Sequence, residues 1–255
     1  MALVDAVIPA GAELDALLGS PAVELPGLDV EGGVAHRRIG WLVQGRFESP
    51  SFASPTPGVH GTFTRDASGR LVVREVEEVP FTLTLPAGDP ARVPVAIFQH
   101  GLGGQRGDML ALADALADAG WAVLAIDIPF HGLRALGRTV DTLHRYGTGE
   151  GPDGFGDRAG MEVQVEYLGV AESEGELPAF SAAYVRDVLR QSVVDLMGAV
   201  RLVREGDWSA AQSAAGLSSL SFAAEPSGSW ASRSGASWAR PSWPPSPRSA
   251  PRRSP

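Results

Sequence analysis

The sequence predicts an α/β fold: an antiparallel lead-in, followed by a strand–helix–strand unit of a parallel sheet. Apolar and polar residues alternate over 80–85, which is the period of a half-exposed strand. Further along, 95–98 is a continuous apolar run and 121–128 is apolar apart from Asp127, as is typical of strands buried on both faces. Between these two runs, apolar residues recur at helical spacing over 108–119. This order predicts a right-handed crossover between two parallel strands.

The first third of the chain is expected to form an antiparallel meander. Residues 1–35 contain scattered Pro and Gly and predict a loosely ordered lead-in. A strand is predicted over 38–48. Turn-forming residues at 66–69 separate two further short strands, 62–64 and 71–75.

A long loop and a long helix are predicted next. Residues 147–178 are rich in Gly, Asp and Glu and predict an acidic loop or lid. An amphipathic helix is predicted over 184–203. Its apolar stripe comprises Val185, Val188, Leu189, Leu196, Val200 and Val203. We expect one partial domain over 36–208 and a low-complexity tail over 209–255.

The tail differs in composition from everything before it. Residues 225–255 contain nine Ser, seven Pro, five Arg and three Trp, and no Val, Ile, Leu, Phe or Met. Such a segment buries too little apolar surface to offset the entropy of ordering it, which predicts disorder. An Arg/Ser/Pro linker or binding tail is the alternative, and the three Trp argue against it.

Composition excludes several classes of site and partner. The chain has no Cys, which excludes disulfides, thiolate metal sites and a Cys nucleophile. Its five His show no metal-ligand spacing, so we expect no metal and no cofactor. The net charge of −9 argues against nucleic acid as a partner. We expect no transmembrane segment, and no secretory signal is apparent. A cytoplasmic location fits this start of the sequence, but localisation, export included, and oligomeric state stay open.

Two turns at strand ends are the candidate functional motifs. His100-Gly-Leu-Gly-Gly104 follows the first apolar run, and Asp127-Ile-Pro-Phe-His-Gly132 follows the second. Ligands of open α/β sheets bind at the carboxyl ends of the strands, where backbone N–H groups can stabilise a developing oxyanion. A plain tight turn stays an alternative. A phosphate cradle is disfavoured because the P-loop pattern and its Lys are missing.

These two motifs resemble those of the α/β-hydrolase family, and of bacterial serine esterases and lipases in particular. The resemblance covers about residues 36–205. It implies that the Leu102 backbone N–H forms half of an oxyanion hole. The resemblance also implies that His100 and Gly101 support the turn. It implies that Gly103, Phe130 and His131 contribute to substrate binding, and His131 also fits a structural role.

The family's nucleophile motif is missing from this sequence. No Gly-x-Ser-x-Gly occurs in the 255 residues, and no triad acid or histidine can be assigned. Because Trp has one codon, 230–238 can be partly back-translated. Shifted by two bases, this segment can read Gly-Ile-Ser-Val-Gly-Gly-Val-Val, a nucleophile motif followed by an apolar helix. We therefore expect truncation or a frameshift after about residue 205–225.

The resemblance implies a carboxylic-ester hydrolase acting on a small-molecule or lipid ester, impaired or inactive in this chain. Two alternatives stay open. One is a non-catalytic pseudo-hydrolase that binds a partner. The other is a different hydrolase of the same fold, such as a dienelactone hydrolase or an amidase.

Overall fold

The computed structural model describes five long stretches of the chain and five pairs of residues. They are residues 2–18, 35–52, 62–89, 92–134, 140–141, 157–158, 167–168, 170–171, 179–180 and 182–223. The four helices are α1 (Ala12–Leu18), α2 (Leu110–Asp118), α3 (Ala182–Glu205) and α4 (Ser209–Ala215). The ten strands are β1 (Ala2–Pro9), β2 (Ile39–Ser51), β3 (Glu75–Pro86), β4 (Val93–Gln99), β5 (Ala122–Ile126), β6 (Val140–Asp141), β7 (Asp157–Arg158), β8 (Val170–Ala171), β9 (Ala179–Phe180) and β10 (Phe222–Ala223). Short 3₁₀ helices lie at Arg106–Met109 and Gly132–Arg134.

A six-stranded sheet forms the centre of this unit, in the order β1-β2-β3-β5-β4-β10. β1, β2 and β3 pair antiparallel, and β3 pairs antiparallel with β5. β5, β4 and β10 run parallel to one another. The prediction of an antiparallel lead-in followed by a parallel strand–helix–strand unit is therefore confirmed.

The sheet is covered on both faces, so its central strands bury alternate residues in opposite directions. Leu124 of β5 lies in the cluster that also contains α3 and α4 residues. Its neighbour Val123 lies in the cluster formed with α1 and α2. All five residues of β5 are buried, as its continuous apolar run predicts.

Two expected boundaries differ from the structure. In the lead-in, β1 adds a strand to the sheet, and α1 buries Leu14 and Leu18 completely. At the other end, residues 209–223 contain α4 and β10, and Leu217 and Leu220 join the core. Both segments are rich in turn-forming and small residues, so their composition did not indicate the few aliphatic side chains that are buried. Residues 225–255 all lie outside the described residues, and so does the prediction of disorder there.

The apolar stripe predicted for the long helix is wrong in part. Leu189 and Val200 are 50% and 41% exposed, whereas Asp187, Gln191 and Asp195 are buried. A helical period assigned from apolar residues alone fails here because the buried face is rich in paired polar groups. Most of the acidic stretch 147–178 lies outside the described residues, so the lid stays a prediction.

Candidate functional site

Two turns lie side by side at one edge of the sheet. Gln99, the last residue of β4, pairs with Ile126, the last residue of β5. Because the two strands are parallel, the segments that follow them leave at the same edge. We call residues 100–105 the His100 turn and residues 127–132 the Asp127 turn.

The His100 turn is a tight type II turn with an exposed tip. The Gly104 N–H donates to the Gly101 carbonyl oxygen at 3.1 Å, and Gly103 has a φ of 73° at the third position. Leu102 at the second position is 61% exposed. Among the residues that the structure describes, none accepts a hydrogen bond from the Leu102 N–H. This N–H is therefore available to an acceptor at the sheet edge.

The His100 ring joins the two turns. Its Nδ1–H donates to the Gly101 carbonyl oxygen at 2.8 Å, and its Nε2 accepts a hydrogen bond from the Ile128 N–H at 3.2 Å. The side chain is 2% exposed. Since both ring nitrogens are engaged, His100 is a neutral brace in this arrangement and has no free lone pair to act as a base.

A buried ion pair fixes the same two segments more strongly. The Arg106 guanidinium forms a salt bridge with Asp127, and the Arg106 backbone N–H donates to Asp127 Oδ1 at 2.7 Å. Arg106 Nε donates to Thr82 Oγ1 at 3.1 Å, and the Leu133 N–H donates to Asp127 Oδ2 at 3.1 Å. The Arg106 and Asp127 side chains are 3% and 0% exposed, respectively. The separation of the turns is therefore held by charge-assisted hydrogen bonds.

The Asp127 turn has an unusual backbone. Phe130 has a φ of 61°, and it is the one such non-glycine residue in the described part of the chain. This conformation costs about 1–3 kcal/mol and occurs preferentially at functional sites. Gly132, with a φ of 52°, leaves space for Asp127, since a Cβ there would lie 2.4 Å from the carboxyl carbon. Phe130 itself is half-buried against Ile128 and its neighbours.

His131 is enclosed beneath the two turns. Its Nδ1–H donates to the Pro129 carbonyl oxygen at 2.8 Å, while its Nε2 has no partner among the described residues. The ring centroid lies 5.1 Å from that of His100 and 5.1 Å from that of Tyr167. Burial lowers the pKa of His131 to about 4, so its ring is neutral near pH 7.

A second buried ion network connects the Asp127 turn to α3. Arg134 pairs with Asp195 at 2.7 Å and with Glu77, and it donates to the Asp127 carbonyl oxygen at 3.1 Å. The Ser49 hydroxyl donates to Asp195 at 2.6 Å. The anionic partners outweigh burial and raise the pKa of Arg134, which therefore stays charged.

The structure brings all six predicted site residues to the carboxyl ends of β4 and β5, although their roles stay predictions. Leu102 is exposed at the tip, whereas His131 is completely buried. Sequence reasoning missed Arg106 and Arg134, because an isolated Arg carries no motif. Within the described stretches, no cluster of His, Asp and Glu could hold a metal ion, and no helix is both long and apolar enough to cross a membrane.

Comparison with known proteins yields one distant likeness. No protein-family model matches the chain, and no curated protein matches it. Among solved structures, an acetyl xylan esterase from Paenibacillus sp. R4 is similar to it, with 19% sequence identity and a TM-score of 0.30. The match covers 66% of this chain and 37% of that esterase. The chain thus spans just over a third of the esterase's length, and a likeness of this extent carries no conclusion about activity.

Proposed function

We propose that this chain carries the oxyanion wall of a carboxylic-ester hydrolase site. The observation that carries the proposal is the Leu102 N–H, which is unbonded within the described residues and belongs to an exposed residue at the tip of a turn fixed by buried pairs. Catalysis of acyl transfer requires such a preorganised donor, because the developing oxyanion gains most from a dipole that need not reorient.

The substrate class follows from the same arrangement. The oxyanion wall suits a carbonyl compound with a good leaving group, and the half-buried Phe130 beside it offers an apolar surface for the acyl part. The ester is therefore a small molecule or a lipid. The net charge of −9 makes polyanionic substrates unfavourable.

We further propose that the nucleophile is encoded in another reading frame. β10 pairs with the start of β4 and runs parallel to it, so the chain leaves Ala223 toward the edge that holds the His100 turn. A nucleophile in this family follows a strand in that position. The composition changes directly afterwards, at 225–255. A shift between Ala223 and residue 230 would explain both observations.

The coding DNA tests the frame directly. Read two bases out of phase from codon 224 onward, it should encode Gly-x-Ser-x-Gly within about a dozen codons, with no stop codon before it. A stop codon, or the lack of that motif, contradicts the proposed shift.

The activity of the chain as given is a separate test. It should hydrolyse p-nitrophenyl acetate no faster than the Leu102→Pro variant or buffer, because the 255 residues hold no nucleophile motif. Turnover that a serine-directed phosphonate abolishes would contradict this expectation and would place a nucleophile elsewhere in the chain.

A further inference from the structure

An open cavity lies between α3 and the loop that precedes β3, away from the residues of the two turns. Its volume is about 570 Å³, within the range of about 300–1,000 Å³ that is usual for small-molecule sites. Phe63, Leu71, Val193 and Val194 form its apolar wall. The Phe63 ring is held in place by Phe52, with 5.4 Å between the ring centroids. This part of the lining therefore suits a hydrocarbon body.

The rest of the lining is cationic and organised around one buried carboxylate. Arg186 donates to both Asp187 oxygens, at 2.8 and 2.9 Å, and Arg190 donates to Oδ1 at 2.9 Å. The Phe63 backbone N–H donates to Oδ2 at 2.9 Å, which joins the apolar wall to the same group. The Asp187 side chain is fully buried. Its pKa is lowered, and the hydrogen bonds from Arg186 are the largest cause. Asp187 is thus an ionised anchor for two guanidinium groups.

The charges lining the cavity do not balance. Three Arg (Arg65, Arg186 and Arg190) face one Asp, in a chain whose net charge is −9. One N–H of Arg65 donates to the Gly69 carbonyl oxygen at 2.6 Å, and one N–H of Arg190 donates to Asp187. Each guanidinium has five N–H donors, so several stay available within the described part of the structure. An anion that enters the cavity would find donors that are already positioned.

We propose that this cavity binds an organic carboxylate with an apolar body, of the medium-chain fatty acid type. The fork of donors on a guanidinium matches the two oxygens of a carboxylate, and the excess positive charge is compensated by such a ligand. The hydrocarbon body packs on Phe63, Leu71 and Val193 and displaces water from them. The site is independent of the oxyanion wall, since none of its lining residues belongs to the His100 or Asp127 turn.

Calorimetric titration of the full-length chain with octanoate tests the proposal. Octanoate should bind, and Arg190→Gln should weaken it by about tenfold or more, because a charge-assisted contact is lost while Arg186 still pairs with Asp187. Arg201→Gln is the matched control, since Arg201 lies on the same helix, is 79% exposed and pairs with Glu205. It should leave the affinity unchanged. Acetate and octanol, which each lack one half of the ligand, should bind at least tenfold more weakly.

A second pair of variants tests the apolar wall without touching the anchor. Val193→Asp places a negative charge in the cavity and should abolish octanoate binding, whereas Met197→Asp should not. Both side chains lie on α3 and are exposed, at 55% and 67%, so neither change disturbs the core. The proposal is overturned by an octanoate titration without heat of binding. It is also overturned by equal losses in Arg190→Gln and Arg201→Gln, or by octanoate binding no more tightly than acetate.

Discussion

At the scale of single residues, Asp127 holds the candidate site together. Its carboxylate is fully buried and accepts hydrogen bonds from the backbone of Arg106 and Leu133 as well as from the Arg106 guanidinium. A charge that is buried this completely is tolerable because it is paired on every side. Both turns depend on it, so the geometry at Leu102 depends on it as well.

Replacing Asp127 with Asn should lower the free energy of unfolding by about 3–5 kcal/mol, since Arg106 is left as an unpaired buried cation. Denaturant unfolding followed by Trp fluorescence measures this change. The control is Glu78→Gln, because the Arg46–Glu78 pair is half-exposed and is screened by solvent. Equal effects of the two substitutions would show that the buried pair has no special part in the fold.

Gly132→Ala should destabilise the fold more than Gly216→Ala does. Both residues have positive φ, 52° and 66°, so both substitutions incur a backbone cost of about 1–2 kcal/mol. At Gly132 the new Cβ would also lie 2.4 Å from the Asp127 carboxyl carbon, while nothing lies within 4 Å of a Cβ at Gly216. Thermal unfolding of the two variants compares the costs. A smaller loss at Gly132 would mean that the turn relaxes freely around Asp127.

His131 makes stability depend on pH in a defined direction. Its pKa is about 4 in the folded chain and about 6.5 when unfolded, so protonation favours unfolding. The contribution is fully present above pH 6.5 and is lost as the pH falls toward 4. Between pH 7.5 and pH 5 the wild-type chain should lose about 2 kcal/mol more than His131→Asn. Parallel pH profiles of the two proteins would show that His131 does not titrate in this way.

At the scale of elements, the sequence predicts four strands of the central sheet, β2 to β5, and the helix of the crossover. Continuous apolar runs are distinctive where a strand is buried on both faces, as in β5. The polar inner face of α3 could not be predicted, because Asp195 is stabilised by Ser49 and Arg134, which are distant in sequence. Pairing between such distant residues has no local periodicity.

Truncation tests how much the segment that contains α4 and β10 contributes to the core. Trp208 packs edge-on against Phe81 and Phe222, at 5.7 and 5.1 Å between ring centroids, and Leu217 and Leu220 are in the core. A chain that ends at residue 208 should therefore aggregate or unfold, because it lacks Leu217, Leu220 and Phe222, which pack with Trp208 in the core. A chain that ends at residue 224 retains this packing and should unfold at the same temperature as the full chain. Equal stability of the 208 and 224 chains would contradict the role assigned to this segment.

At the scale of the whole molecule, one hypothesis, a shift of reading frame, would explain both why the sheet stops at β10 and why the composition changes after it. The six-stranded sheet continues through β10, and each of its strands contributes residues to the two hydrophobic clusters on its faces or packed against them. The motif at His100 was predictable from sequence because glycines and a strand end stand together there. The triad was not, because the sequence contains no Gly-x-Ser-x-Gly motif. We therefore propose that this chain carries the oxyanion wall and that the alternative frame encodes the nucleophile.

The most direct test uses a chain restored to the alternative frame after Ala223 and measures its turnover of p-nitrophenyl acetate. Leu102→Pro removes the oxyanion N–H but suits the second position of a type II turn, and Leu102→Ala keeps the N–H as its control. The restored chain should hydrolyse the ester. Leu102→Pro should lower kcat by about 10²–10³-fold, and Leu102→Ala should lower it little. Absence of turnover in a folded restored chain, or equal kcat for the Pro and Ala variants, would contradict the assignment of this turn as the oxyanion wall.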